Sequence, residues 1–219
     1  MRTRFYKIPA IAKAGRLMLS LAMAVIACSG ASAQSSLIEQ EADPAELEFD
    51  NELHSPVVGQ KQHAYVRNYM KTIAESLYHE KFAVETMREG EVVITVIPTD
   101  ELFAPNETSL MPSALAKLDK FRQFATPADR FKIVLAVHSD DTGSEEYLYD
   151  LTEKRTVAVI DYLESIGFDP DSIVGFPKGN SSPIAESTSR ANRAKNRRLE
   201  VFIVPSQELL TLAKSSSKK

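Results

Sequence analysis

Three groups of residues could do chemistry together. Asp140 lies in the stretch Val137-His138-Ser139-Asp140-Asp141-Thr142-Gly143-Ser144, and Arg155 follows fifteen positions later. Arg197 and Arg198 stand together further on, in Asn196-Arg197-Arg198-Leu199-Glu200. A carboxylate can hold an ammonium, and the planar fork of a guanidinium suits a carboxylate gripped by two parallel hydrogen bonds. Asp140 and Arg155 could therefore hold the two charged ends of an amino acid. The same two residues could also simply salt-bridge each other, and residue types alone leave both readings open.

The surrounding elements decide whether such a pair can meet. Residues 131–137 carry few polar side chains and read as a strand covered on both faces. Asp140 falls just past its end, where ligands of open α/β sheets tend to sit. Ser144 is a helix N-cap candidate, with Glu145 and Glu146 in the first turn, where the helix dipole favours negative charge. Leu148, Leu151, Ala158, Val159, Tyr162, Leu163 and Ile166 form the apolar stripe of that helix, and Gly167 is placed to end it. Arg155 sits at the edge of the stripe, where a guanidinium is costly unless paired.

The other elements follow from similar patterns. Residues 91–97 are β-branched and read as a strand. Pro112 with Leu115, Leu118, Phe121 and Phe124 reads as a helix, residues 172–175 as a short strand and 199–204 as the last strand. The order β-α-β-α-β-β predicts an α+β two-layer sandwich, a mixed sheet with its helices on one face. An apolar stripe through Val58, Tyr65, Tyr69, Ile73, Leu77 and Val84 predicts a preceding helix over 57–88, with Gly90 as its stop. His63 and His79 are sixteen apart, not at the spacing of a helical metal pair, and no metal is expected.

These blocks resemble the peptidoglycan-binding OmpA-like domain of bacterial envelope proteins. The family's motif runs Gly-His-Thr-Asp, then Leu-Ser-x-x-Arg-Ala, then Asn-Arg-Arg-Val-Glu. Each block has its counterpart here in the right order, and the resemblance covers roughly residues 91–204. It implies that Asp140 and Arg155 clamp the free amino-acid end of diaminopimelate in the stem peptide of peptidoglycan. It also implies a pocket built with His138, Ser139, Thr142, Gly143, Leu151, Thr152, Asn196 and Arg198. Of the arginine pair, Arg198 is expected to face the pocket and Arg197 the outer side, because strand neighbours alternate faces. The chain departs from the pattern at several points. Val137 stands where the family has Gly, Leu148 where it has Asn, and Thr152 where it has Ser. The loop Gly175-Phe176-Pro177-Lys178-Gly179 is a modified form of the family's Gly-Tyr-Gly-Glu.

The implied function is non-covalent tethering of the envelope to peptidoglycan, without cofactor or catalysis. No Gly-x-Ser-x-Gly, phosphate loop or His/Cys metal set is present. Asp140 and Asp141 could pass as a glycosidase carboxylate pair, but neighbours on one strand end point apart rather than across one bond. A scaffold subunit of an envelope motor or secretion complex is the other reading, with envelope proteins as partners.

The ends speak to location. Arg2, Arg4, Lys7, Lys13 and Arg16 precede an apolar run over 17–27 that is too short to span a bilayer. This reads as a secretory signal over 1–33, cut after Ala31-Ser32-Ala33. Val25-Ile26-Ala27-Cys28 is a loose lipobox, which would instead make Cys28 a lipidated first residue and the outer membrane a partner. Either way the expected location is the periplasm, beside the outer membrane and cell wall. The chain carries a formal charge of −4, and loss of the five basic residues leaves −9, which disfavours nucleic acid. The remaining plan is an acidic linker over 34–56, a helical extension over 57–90, the domain over 91–206 and a flexible basic tail over 207–219.

Overall fold

The computed structural model describes residues 56–126 and 129–216, so the leader, Cys28 and most of the acidic linker lie outside the described residues. In chain order its main elements are α1 (Gln60–His79), β1 (Ala83–Met87), β2 (Val92–Pro98), α2 (Pro112–Leu118), β3 (Phe131–His138), α3 (Glu145–Ser165), β4 (Ile173–Gly179), α4 (Arg190–Asn196), β5 (Arg198–Pro205) and α5 (Gln207–Ser216). The five strands form one mixed sheet in the order β1-β2-β5-β3-β4. Only β3 and β4 run parallel, joined across the sheet by α3. The expected α+β class and mixed sheet are those observed.

Strand alternation sorts the core. Ile133, Leu135, Val137, Leu199, Val201 and Ile203 pack in one cluster with Val66 and Met70 of α1, Leu118 of α2, Val159 and Leu163 of α3, and Leu209 of α5. Val134, Ala136, Phe176, Phe202 and Val204 form a smaller cluster on the opposite face of the sheet. The period-two pattern thus assigns every second residue of β3 and β5 to the helix-bearing face.

Two elements differ from expectation. The first helix ends at His79, and residues expected to continue it form β1 instead. Lys81 turns back with φ 69, and β1 pairs antiparallel with β2 from Ala83↔Val96 to Met87↔Val92. Val84 belonged to the apparent helical stripe, but a paired edge of the sheet outweighs a weak local pattern. At the other end, residues 207–216 are helical rather than a free tail. Leu209, Leu210 and Ala213 are buried there, and the Ser206 hydroxyl accepts from the Leu209 amide at 3.2 Å as a cap.

Elsewhere the differences are of extent. The helix begun by Pro112 tightens into a 3-10 turn over Asp119–Phe124. The three-residue steps from Leu118 through Phe121 to Phe124 match the period of that tighter helix. β4 runs on to Gly179 through Pro177, which an edge strand tolerates. Gly175 lies under α3 so closely that a Cβ built there would meet Thr156 Cγ2 at 2.4 Å.

Candidate functional site

Asp140 leaves the end of β3 and turns into α3. Its Oδ1 accepts from the Thr142 amide at 2.9 Å, and its Oδ2 accepts from Arg197 Nη1 at 2.7 Å. Burial alone would raise this carboxyl. The hydrogen bonds from Arg197 and Thr142 outweigh burial and hold it below the ordinary aspartate value. Ser144 caps α3 by accepting from the Tyr147 amide at 3.3 Å, so the turn that carries Asp140 is anchored at both ends.

Arg155 stands on α3 and is buried, with 5% of its surface exposed. It is not bonded to Asp140, and no carboxylate of a described residue lies within ion-pair distance of it. Its Nε donates to the Glu107 carbonyl at 2.9 Å and its Nη2 to the Ala104 carbonyl at 3.3 Å. The guanidinium also lies over the Phe103 ring, 4.8 Å from its centroid. Burial lowers its pKa from the free-arginine value, with Asp100 opposing that shift from a distance. The carbonyls and the ring hold the group in place without neutralising it.

The two residues meet in one cleft of about 490 Å³. The loop between β2 and α2 supplies Asp100, Phe103 and Asn106. The start of α3 adds Tyr147 and Leu151, while Arg190 and Arg197 come from the region of α4. Ser139 and Thr142 also line it. Tyr147 Oη donates to Asn106 Oδ1 at 3.3 Å across the cleft.

Arg197 is the residue placed on the wrong side by sequence reasoning. It lines the cleft, with Nε and Nη2 on Asp100 at 2.8 and 2.6 Å and Nη1 on Asp140. The Arg197 hydrogen bond lowers the Asp100 carboxyl, and the same contacts raise Arg197 itself. Arg198 lies outside the cleft and is 4% exposed. Its Nε binds Glu200 Oε1 at 2.7 Å and its Nη2 the Ser182 carbonyl at 3.2 Å. The alternation rule holds, but its phase is the reverse of the one expected. Leu199, Val201 and Ile203 face the helices, so Arg198 and Glu200 face away and Arg197, the C-cap of α4, shares the helix side.

Four other expected pocket residues also do not line the cleft. His138 shares the face of Arg198 and Glu200, 3.5 Å from Glu200 Oε2, and burial lowers its pKa. Asn196 is buried and pins the preceding loop, its Oδ1 accepting from the Ile184 and Ala185 amides at 3.0 Å each. The Thr152 hydroxyl donates to the Leu148 carbonyl and accepts from the Gly179 amide, both at 3.0 Å, tying α3 to the end of β4. Gly143 serves the turn with φ 146. Val137 stays in the strand as a fully buried core residue, and the β3–β4 register shifts just after it. Asp100, Phe103, Tyr147 and Arg190 were missed by sequence reasoning.

The chain is similar to known proteins over this region. Residues 102–197 match the OmpA family. "Outer membrane protein A" of Bordetella avium is 35% identical over 113 residues, 52% of this chain and 58% of that protein. "Peptidoglycan-binding protein ArfA" of Mycobacterium tuberculosis is 30% identical over 101 residues, 46% of this chain and 31% of that one. The chain therefore spans less than two thirds of either relative. Among solved structures, a MotB-like protein from Desulfovibrio vulgaris superposes with a TM-score of 0.58 at 20% identity, covering 65% of this chain and 95% of that one, which establishes a shared fold.

Proposed function

Since this chain carries an OmpA-like domain over residues 102–197, we propose that it binds peptidoglycan non-covalently through the free amino-acid end of diaminopimelate. One observation carries the reading. Asp140 and Arg155 share a cleft without pairing, and Arg155 is buried with no carboxylate of a described residue beside it. A structural ion pair would have closed on itself. An unneutralised guanidinium beside a carboxylate that Arg197 only partly occupies suits a zwitterion, whose ammonium goes to Asp140 and whose carboxylate goes to Arg155. Each oxygen of Asp140 has a second lone pair, so it can accept an ammonium while still holding Thr142 and Arg197. A name such as that of ArfA supports the same ligand class.

The chain acts as a tether, not a hydrolase, and works in the periplasm between outer membrane and cell wall. Purified sacculi should retain the protein, and free diaminopimelate should compete it off. Asp140→Ala and Arg155→Ala should each cost on the order of 2–5 kcal/mol of binding, because each strands a desolvated charge. Undiminished retention of the double variant would sink the assigned site.

A further inference from the structure

The cleft holds more positive charge than one amino-acid head can satisfy. Asp100, Asp140, Arg155, Arg190 and Arg197 all line it. Arg197 bridges both carboxylates, taking Asp100 through two nitrogens and Asp140 through the third. Arg155 and Arg190 are left without a carboxylate within ion-pair distance among the described residues. A bound zwitterion neutralises Arg155 with its carboxylate and places its ammonium on Asp140. Arg190 then still faces the cleft unpaired.

The backbone at Arg190 is held by its surroundings. It is the first residue of α4, directly after Ser189, whose hydroxyl accepts from the Asn192 amide at 3.1 Å. Asn196, at the other end of the helix, is buried and holds the Ile184 and Ala185 amides. Arg193 donates to the Ser187 carbonyl. The short helix and the loop before it are thus tied to each other, and they present Arg190 on the exposed rim of the cleft. The ligand is a peptide, so its next charged group lies within a residue of the head. A guanidinium at a rim selects an anion there.

We propose that Arg190 forms a second anion subsite, so that the preferred ligand carries one free carboxylate beyond the amino-acid head held by Asp140 and Arg155. The inference rests on the stem-peptide reading. Two carboxylates could supply the charge: the α-carboxylate of the glutamate that precedes diaminopimelate, and the backbone carboxylate that ends a tripeptide stem. Amidation removes either one without changing the head.

The test is calorimetric titration of the full chain with three synthetic peptides. They are the tripeptide alanyl-γ-glutamyl-diaminopimelate, its glutamate α-amide and its C-terminal amide. One of the two amides should bind wild type about three- to tenfold more weakly than the free tripeptide, and which one does identifies the source. Arg190→Gln should lose a similar factor on the free tripeptide and nothing further on that amide, the signature of direct coupling. Equal affinity of wild type for all three peptides overturns the subsite, as does an Arg190→Gln loss that is the same on every peptide. In both cases binding that Asp140→Ala abolishes leaves the head-group site standing. Failure of wild type to bind any of the three overturns both.

Discussion

Arg155 shows how far a single side chain can constrain a ligand. It is buried, yet only carbonyls and an aromatic ring hold it, so its charge is fixed in place and left for a partner. A stem peptide with lysine in the third position keeps an ammonium for Asp140 but lacks the second carboxylate. Arg155 would then stay unpaired, and hydrogen-bond sites that lose their partner discriminate strongly. Diaminopimelate-type muropeptides should outbind lysine-type ones at least about tenfold, or about 1.4 kcal/mol. Indistinguishable affinities in a side-by-side titration would remove Arg155 from the site. His138 makes a separate prediction about stability. Burial lowers its folded pKa below the ordinary 6.5, with Arg198 and Lys178 adding to that and Glu200 opposing it. Between those two values the unfolded chain binds more protons, so stability is present above pH 6.5 and is lost as pH falls from there towards the folded value. Thermal melts from about pH 7.5 to about pH 5.5 should show Tm falling in wild type and a flatter profile in His138→Gln. The carboxylates lowered by their partners titrate below this window and do not confuse it.

At the scale of elements, strongly periodic segments were legible and marginal ones were not. β3, the Ser144 cap and the stripe of α3 all follow from sequence, because burial on both faces or along one stripe leaves a clear period. That Asp140 and Arg155 line one cleft followed from them, since Asp140 lies just past the strand's end and Arg155 lies in the third turn of the helix that the strand leads into. β1 was hidden because its residues are mostly exposed and only pairing with β2 makes it a strand. The phase of β5 was hidden for a different reason. Both faces of that strand are apolar beyond Glu200, so alternation over 201–204 cannot say which face meets the helices. That ambiguity reversed Arg197 and Arg198. The packing of α3 on β4 can be tested at Gly175, where a Cβ would sit 2.4 Å from Thr156 Cγ2 and 2.8 Å from Ile160 Cδ1. Gly175→Ala should destabilise the fold by about 1–3 kcal/mol, as overpacking does. Denaturant unfolding would show it, and Thr156→Ser in the same chain should restore part of the loss by removing the nearer atom. No change in the midpoint for Gly175→Ala would mean that α3 does not rest on β4 this closely.

For the whole molecule, cell-wall binding as proposed requires that the cleft be held near its ligand. Among the described residues no helix is long and apolar enough to cross a membrane. Two readings of residues 1–33 as a processing signal compete in the sequence. Ala31-Ser32-Ala33 offers small residues at both positions that a signal peptidase reads, whereas Val25-Ile26-Ala27-Cys28 puts bulky Ile26 close to the lipidation cysteine. The soluble reading, cleavage after Ala33, has an electrostatic consequence. Cleavage after Ala33 removes the five leader cations together with the only cysteine, leaving a mature chain of formal charge −9. Such a chain is repelled by anionic lipid and has no acyl chains to oppose that repulsion. It should fractionate with the soluble periplasm and with sacculi, not with membranes. Its intact mass should correspond to a chain that begins at Gln34 and carries no lipid. Cys28→Ser should then change neither mass nor fractionation. Recovery from the membrane fraction, with release by Cys28→Ser, would show that the lipobox is used and that the cell-wall cleft works at the end of an acylated tether.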